Sequence, residues 1–223
     1  MRLVIAFIAL LPTLVLADYS LIGAGVRTRP EYDGSADRTV DVIPVLRYYG
    51  KPWFARTTQG ILEGGARWTL RRNLDAGVLA AYEQGPRDRD PGASVGFYVE
   101  GDRDIGRVPL NGLLRVRQHV DADRGLEVDT RATVGVYGSR GILAGVFMQA
   151  TWATQKKFRE YYGVDGSGLL FTSLGLLGSY ELASRWMLVA SLEHRRLSDD
   201  AARSPIVEKR SGIYASTGFG YRF

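Results

Sequence analysis

A period of two constrains this chain more than any other feature. In GIYASTGFGYRF, residues 212–223, apolar and aromatic residues recur at every second position. An extended strand turns successive side chains to opposite faces. Ile213, Ala215, Thr217, Phe219, Tyr221 and Phe223 therefore share one face, and Tyr214, Ser216, Gly218, Gly220 and Arg222 the other. The pattern recurs along the chain. Residues 61–71 set Leu62, Gly64, Ala66, Trp68 and Leu70 against Glu63, Gly65, Arg67, Thr69 and Arg71. Residues 109–120 set Leu110, Gly112, Leu114, Val116 and Val120 against Asn111, Leu113, Arg115, Arg117 and His119. Residues 125–139 set Leu126, Val128, Thr130, Ala132, Val134 and Val136 against Glu127, Asp129, Arg131, Thr133, Gly135 and Tyr137. A tilted strand of roughly 9–11 residues crosses a bilayer, and these segments are about that long.

The pattern predicts about twelve strands, near 18–28, 38–49, 52–58, 60–71, 74–84, 93–102, 106–120, 125–138, 141–153, 171–182, 185–197 and 211–223. If 52–58 is a loop, the count falls to ten, because single-chain bacterial barrels carry an even number of strands. The connections add independent information. Tyr49-Gly50-Lys51, Arg72-Asn73, Arg103-Asp104-Ile105, Ser139-Arg140 and Ala183-Ser184 are tight. The interleaved connections at 27–38, 84–92, 121–125, 154–170 and 197–209 are mostly longer and more polar, with one short exception at Gln59-Gly60. Short periplasmic turns alternating with long outer loops mark an antiparallel outer-membrane barrel, with both chain ends on the periplasmic side. A soluble sandwich would alternate too, but would have no such rhythm.

Residues 1–17, MRLVIAFIALLPTLVLA, read as a secretory signal peptide, with Arg2 ahead of an apolar run and small residues at Val15 and Ala17. The expected organisation is that signal followed by one barrel domain over 18–223. No later apolar run approaches the roughly 20 residues of a membrane-spanning helix. The 27 Gly, 12 Tyr and 4 Trp suit a β architecture with aromatic girdles. With no Cys, thiol catalysis and disulfides are excluded. The net charge of +5 comes from basic residues interspersed with acidic ones, which gives no reason to expect a nucleic-acid partner.

Lipid cannot solvate charge, so the charged face must point inward. That assigns Glu63, Arg67, Asp75, Arg115, Arg117, Glu127, Asp129, Arg131, Glu193 and Arg222 to the lumen as a mixed network. In so narrow an interior, opposite charges are expected to pair and fill the space. Trp53, Trp68, Tyr48, Tyr82, Trp152, Trp186, Phe219, Tyr221 and Phe223 are the girdle candidates at strand ends, facing outer-membrane lipid. Phe219, Tyr221 and Phe223 also belong to the closing strand, and the terminal aromatic resembles the signal read by the barrel-assembly machinery.

Chemistry has few candidates. The only histidines are His119 and His194. Asp121, Asp123 and His119 could form an outer-rim acid–base cluster, although a solvated turn is the plainer reading. The glycine pairs at 23–25 and 166–168 lack the context of a phosphate loop. The sequence assigns no catalytic residue, no metal site and no cofactor.

Three segments resemble the MipA/OmpV family of Gram-negative outer-membrane proteins. The opening GAGVRTRPEYDGSADRTVDVIPVLRYYGKPWF carries Pro30, Tyr32, Gly34, Ser35, Pro44, Tyr48, Trp53 and Phe54. The segment YYGVDGSGLLFTSLGLLGSYELASRWML and the finish LSDDAARSPIVEKRSGIYASTGFGYRF are similar to the family's later motifs, in the same order. The loops at 84–92 and 154–170 look short for the family. The resemblance implies a non-enzymatic barrel in the outer membrane. It also implies a scaffold joining a murein-degrading lytic transglycosylase to a murein-synthesising penicillin-binding protein. The alternative is a narrow permeability or stress-response barrel.

Overall fold

The structure is a computed structural model that describes residues 19–84, 92–139 and 141–223. The expected signal peptide, Arg140 and most of the loop at 84–92, with its RDRD run, lie outside the described residues. The strands are β1 (Leu21–Pro30), β2 (Arg38–Tyr49), β3 (Trp53–Thr58), β4 (Ile61–Arg71), β5 (Leu74–Glu83), β6 (Gly92–Ile105), β7 (Val108–His119), β8 (Leu126–Ser139), β9 (Ile142–Ala153), β10 (Gly168–Ala183), β11 (Trp186–Leu197) and β12 (Ser211–Arg222). Each pairs antiparallel with its sequence neighbours, and β12 closes the barrel on β1 from Leu21↔Arg222 to Thr28↔Ala215. Closure leaves no unpaired edge at the chain ends, where an open ladder would be costly in lipid.

Alternation decides which way each strand faces. Val42 is 71% exposed on the outside of β2, whereas Asp41 turns inward. Ile22, Val78, Phe97, Leu174, Leu192 and Phe219 join Val42 in an apolar outer belt. No aqueous solvent would favour such a surface; a bilayer does. Trp186 and Tyr221 meet edge to face in that belt, with ring centroids 5.3 Å apart.

Several expectations need correction. A bulge between Gly135 and Tyr137 shifts the β8 register, so Tyr137 is 47% exposed instead of facing inward with Glu127. The β6–β7 turn is at 106–107 and not at Arg103–Ile105, because Gly106 adopts φ 67° and lets the hairpin run further. The connection expected at 154–170 is partly regular. It contains helix α1 (Gln155–Tyr162), which stops at Gly163 in the left-handed conformation, and β10 already starts at Gly168. The final long loop holds the short helix α2 (Asp199–Ala202), whose first turn is capped by Ser198.

The segment 52–58 is a strand of unusual behaviour. β3 pairs with β2 at only three positions, Arg47↔Arg56, Tyr48↔Ala55 and Tyr49↔Phe54. From Thr57 on it pairs with β4 alone, as far as Thr58↔Ile61. Gln59 (φ 52°) and Gly60 (φ 82°) form the turn. Arg27 on β1 donates to the Gln59 carbonyl at 2.7 Å, and the Gln59 amide reaches Glu193 on β11 at 2.9 Å.

Candidate functional site: an ion-paired lumen between two rims

Inward-facing charges join in one chain of alternating sign. Arg56 on β3 donates to Glu100 on β6 at 2.7 Å and to Glu63 on β4 at 2.7 Å. Arg115 on β7 binds Glu63 and also Asp129 on β8, its Nε 2.9 Å from the carboxylate. Asp129 accepts from the Thr151 hydroxyl at 2.7 Å and lies 3.5 Å from Arg117. Arg117 donates to Glu127 at 2.6 Å, and Lys157 of α1 meets the same carboxylate at 2.6 Å. Arg115 is 1% exposed, and Glu63 and Asp129 are equally inaccessible. Charges this deep are tolerated only when paired and hydrogen-bonded, which each of these is. Beside the ladder, Phe54, Ile61, Leu79, Ala81, Tyr98 and Leu113 pack an apolar layer, with Ala81 directly across from Glu63. Ladder, apolar layer and the β3–β4 tip together occupy the middle of the lumen.

The expected network is thus divided. Glu63, Arg115, Arg117, Glu127 and Asp129 share the ladder. Glu193 binds Gln59 and Arg195 instead. Arg67 and Asp75 form a separate pair at 3.4 Å, as do Arg222 and Glu181 at 3.0 Å near the chain ends. Arg131 lies over the Phe147 ring at 4.1 Å and forms no ion pair with a described residue. Sequence reading missed Arg56, Glu100, Lys157 and Arg195. Arg56 could have been found, because it shares the buried face of β3 with Phe54. Lys157 was hidden in a stretch read as loop.

Above the ladder the outer end is capped. Phe158 and Tyr162 of α1 pack with Ala153, Leu170, Phe171, Leu197 and Ala201. Burial lowers the Lys157 ammonium pKa, but the Glu127 carboxylate beside it more than reverses this and leaves it raised. Burial also pushes the Tyr162 phenol well above its ordinary value, and Asp33 adds to the effect. Beneath α1 is a chamber of about 320 Å³ lined by Arg27, Lys157, Tyr162, Phe171 and Tyr214 among others.

The rim cluster considered for acid–base chemistry is not assembled. His119 is 2% exposed and faces Glu127 at 3.5 Å, away from Asp121 and Asp123. Asp121 pairs with Arg124 at 3.3 Å. His194 points outward from β11. Among the described residues, no group of three or more His, Asp or Glu could hold a metal ion.

A family model described as "MltA-interacting protein MipA" matches residues 22–223, nearly the whole chain. The chain belongs to the MipA family. No curated protein sequence matches it. Among solved structures, a bacterial polysaccharide outer-membrane secretin aligns with TM-score 0.50 and 11% identity, over 92% of this chain and 99% of that one. An outer-membrane channel from Pseudomonas putida F1 aligns with TM-score 0.47 and 10% identity, over 96% and 97% of the two chains. With its closed ladder and apolar belt, this MipA-family chain is an outer-membrane β-barrel. The short turns, with the start of β1 and the end of β12, form one rim, and α1 and α2 lie at the other; short turns of outer-membrane barrels face the periplasm, and the two rims are called inner and outer on that rule.

Proposed function

We propose that this barrel is a non-enzymatic scaffold of the outer membrane. It holds a lytic transglycosylase, and with it a penicillin-binding protein, against the periplasmic rim. One observation carries the reading: the match over residues 22–223 to a family described as MltA-interacting. The packed lumen supports it, because a barrel filled by ion-paired side chains offers its rims for work more readily than its interior. Crosslinking in the native envelope, followed by identification of the captured proteins, tests this. Recovery of both murein enzymes is the expected result, and recovery of neither would remove the scaffold reading.

A second reading, a narrow permeability pathway, rests on the chamber of about 320 Å³ under α1. It requires the ladder from Glu100 to Lys157 to part during passage.

A further inference from the structure

The periplasmic turns share a property that the outer loops lack. The turns at 50–52, 72–73, 106–107 and 184–185 each contain one cation and no anion. The cations are Lys51, Arg72, Arg107 and Arg185. The outer loops other than the uncharged Gln59-Gly60 turn mix signs or are acidic: 31–37 carries Glu31, Asp33 and Asp37 with no base. Lys51, Arg72 and Arg107 are exposed and form no ion pair with a described residue. Arg185 donates to the Tyr221 hydroxyl at 2.8 Å. Like charges around a ring repel one another, so this arrangement does nothing for the stability of the isolated barrel.

A further unpaired cation stands inside that ring. Arg47, near the inner end of β2, lies 5.0 Å from the Tyr19 ring and 5.3 Å from the Tyr49 ring. It forms no ion pair with a described residue, and its buried Nε has no hydrogen-bond partner. Membrane headgroups can touch the peripheral turns but cannot enter the mouth of the barrel. A folded protein can cover both.

We propose that the periplasmic rim is a cationic docking ring for the acidic face of a soluble periplasmic protein, one of whose carboxylates meets Arg47 in the mouth. The proposal rests on the scaffold reading. It also answers the main physical objection to that reading, that turns of two or three residues offer little contact area. Stable interfaces usually bury well over about 1,000 Å². A ring of unpaired cations compensates by steering and orienting an acidic partner, at the cost of strong salt dependence.

The test uses the folded barrel in a neutral detergent, with a purified lytic transglycosylase as probe. Phosphatidylglycerol vesicles serve as a second probe. Affinity is measured at about 50 mM and about 300 mM salt. The expected result is a loss of about tenfold or more in transglycosylase affinity across that range. The Lys51→Glu/Arg72→Glu/Arg107→Glu variant should lose at least about tenfold at low salt, and Arg47→Gln a smaller part. Heat-modifiable migration checks that each variant is folded. Should the charge reversal misfold, the corresponding Gln variant replaces it. Tight binding that ignores both salt and charge reversal would overturn the docking ring and leave the scaffold standing. Loss of vesicle binding with transglycosylase binding intact would overturn it in favour of a lipid anchor. No transglycosylase binding by the wild-type barrel would remove the scaffold reading and the ring with it.

Discussion

The Gln59 amide of the β3–β4 turn donates to the Glu193 carboxylate of β11 at 2.9 Å, so a hairpin tip from one wall is tied to the opposite side of the lumen. The tie depends on an unusual turn. Both of its residues have positive φ, and a Cβ on Gly60 would lie 1.7 Å from an Arg27 guanidinium nitrogen. Gly60→Ala should therefore destabilise the barrel by at least about 1 kcal/mol, from the left-handed backbone alone. Urea unfolding in lipid vesicles, followed by tryptophan fluorescence, measures this. An unchanged midpoint would mean that the tip is free to leave the lumen.

Glu63 is the centre of the ladder, bound by both Arg56 and Arg115. Glu63→Ala leaves two buried guanidiniums short of a partner and should cost about 3–5 kcal/mol. Adding Arg115→Met to that variant restores the balance of the buried charges and should recover part of the loss. The same unfolding assay reads both. Additive destabilisation by the two changes would contradict the pairing.

The twelve strands and their facing were legible in the sequence because each wall residue meets either lipid or lumen, a binary choice written with period two. Partner choice across the lumen was not legible. Glu63 and Arg115 are 52 positions apart and meet only because the barrel closes. Arg131 satisfied the same alternation yet lies over Phe147 with no carboxylate, since facing inward does not specify a neighbour. Tyr137 was misassigned because one bulge reverses every later side chain. Helix α1 did leave a signal: Phe158, Tyr161 and Tyr162 are spaced i, i+3, i+4 ahead of Gly163.

The outer cap should open under alkaline conditions. The Lys157 ammonium is raised above its ordinary 10.5, and the Tyr162 phenol above its ordinary 10.0. A group raised in the folded state stabilises it fully below its unfolded value, and that contribution is lost as pH climbs through the folded value. The cap should thus be constant from neutral pH to about pH 10 and loosen above it. A fluorophore on Lys156→Cys, in a chain without native cysteine, reports this. Lys157→Met should diminish the transition; a transition between about pH 5 and 8 would assign the cap to other groups.

Val134 faces outward on β8 opposite Val146 and Leu110. Val134→Arg places a guanidinium in lipid and should cost about 2–4 kcal/mol near the midplane, with impaired assembly. Normal heat-modifiable migration of that variant in native membranes would contradict the register of β7, β8 and β9.

The central claim is that this barrel works at its rims and not through its lumen. Planar-bilayer recording on the refolded full chain tests it most directly. The ladder from Glu100 through Arg56, Glu63, Arg115, Asp129, Arg117 and Glu127 to Lys157 predicts silent membranes, with no stepwise currents at any polarity. Reproducible discrete conductance steps from pure wild-type protein would contradict it and favour the permeability reading.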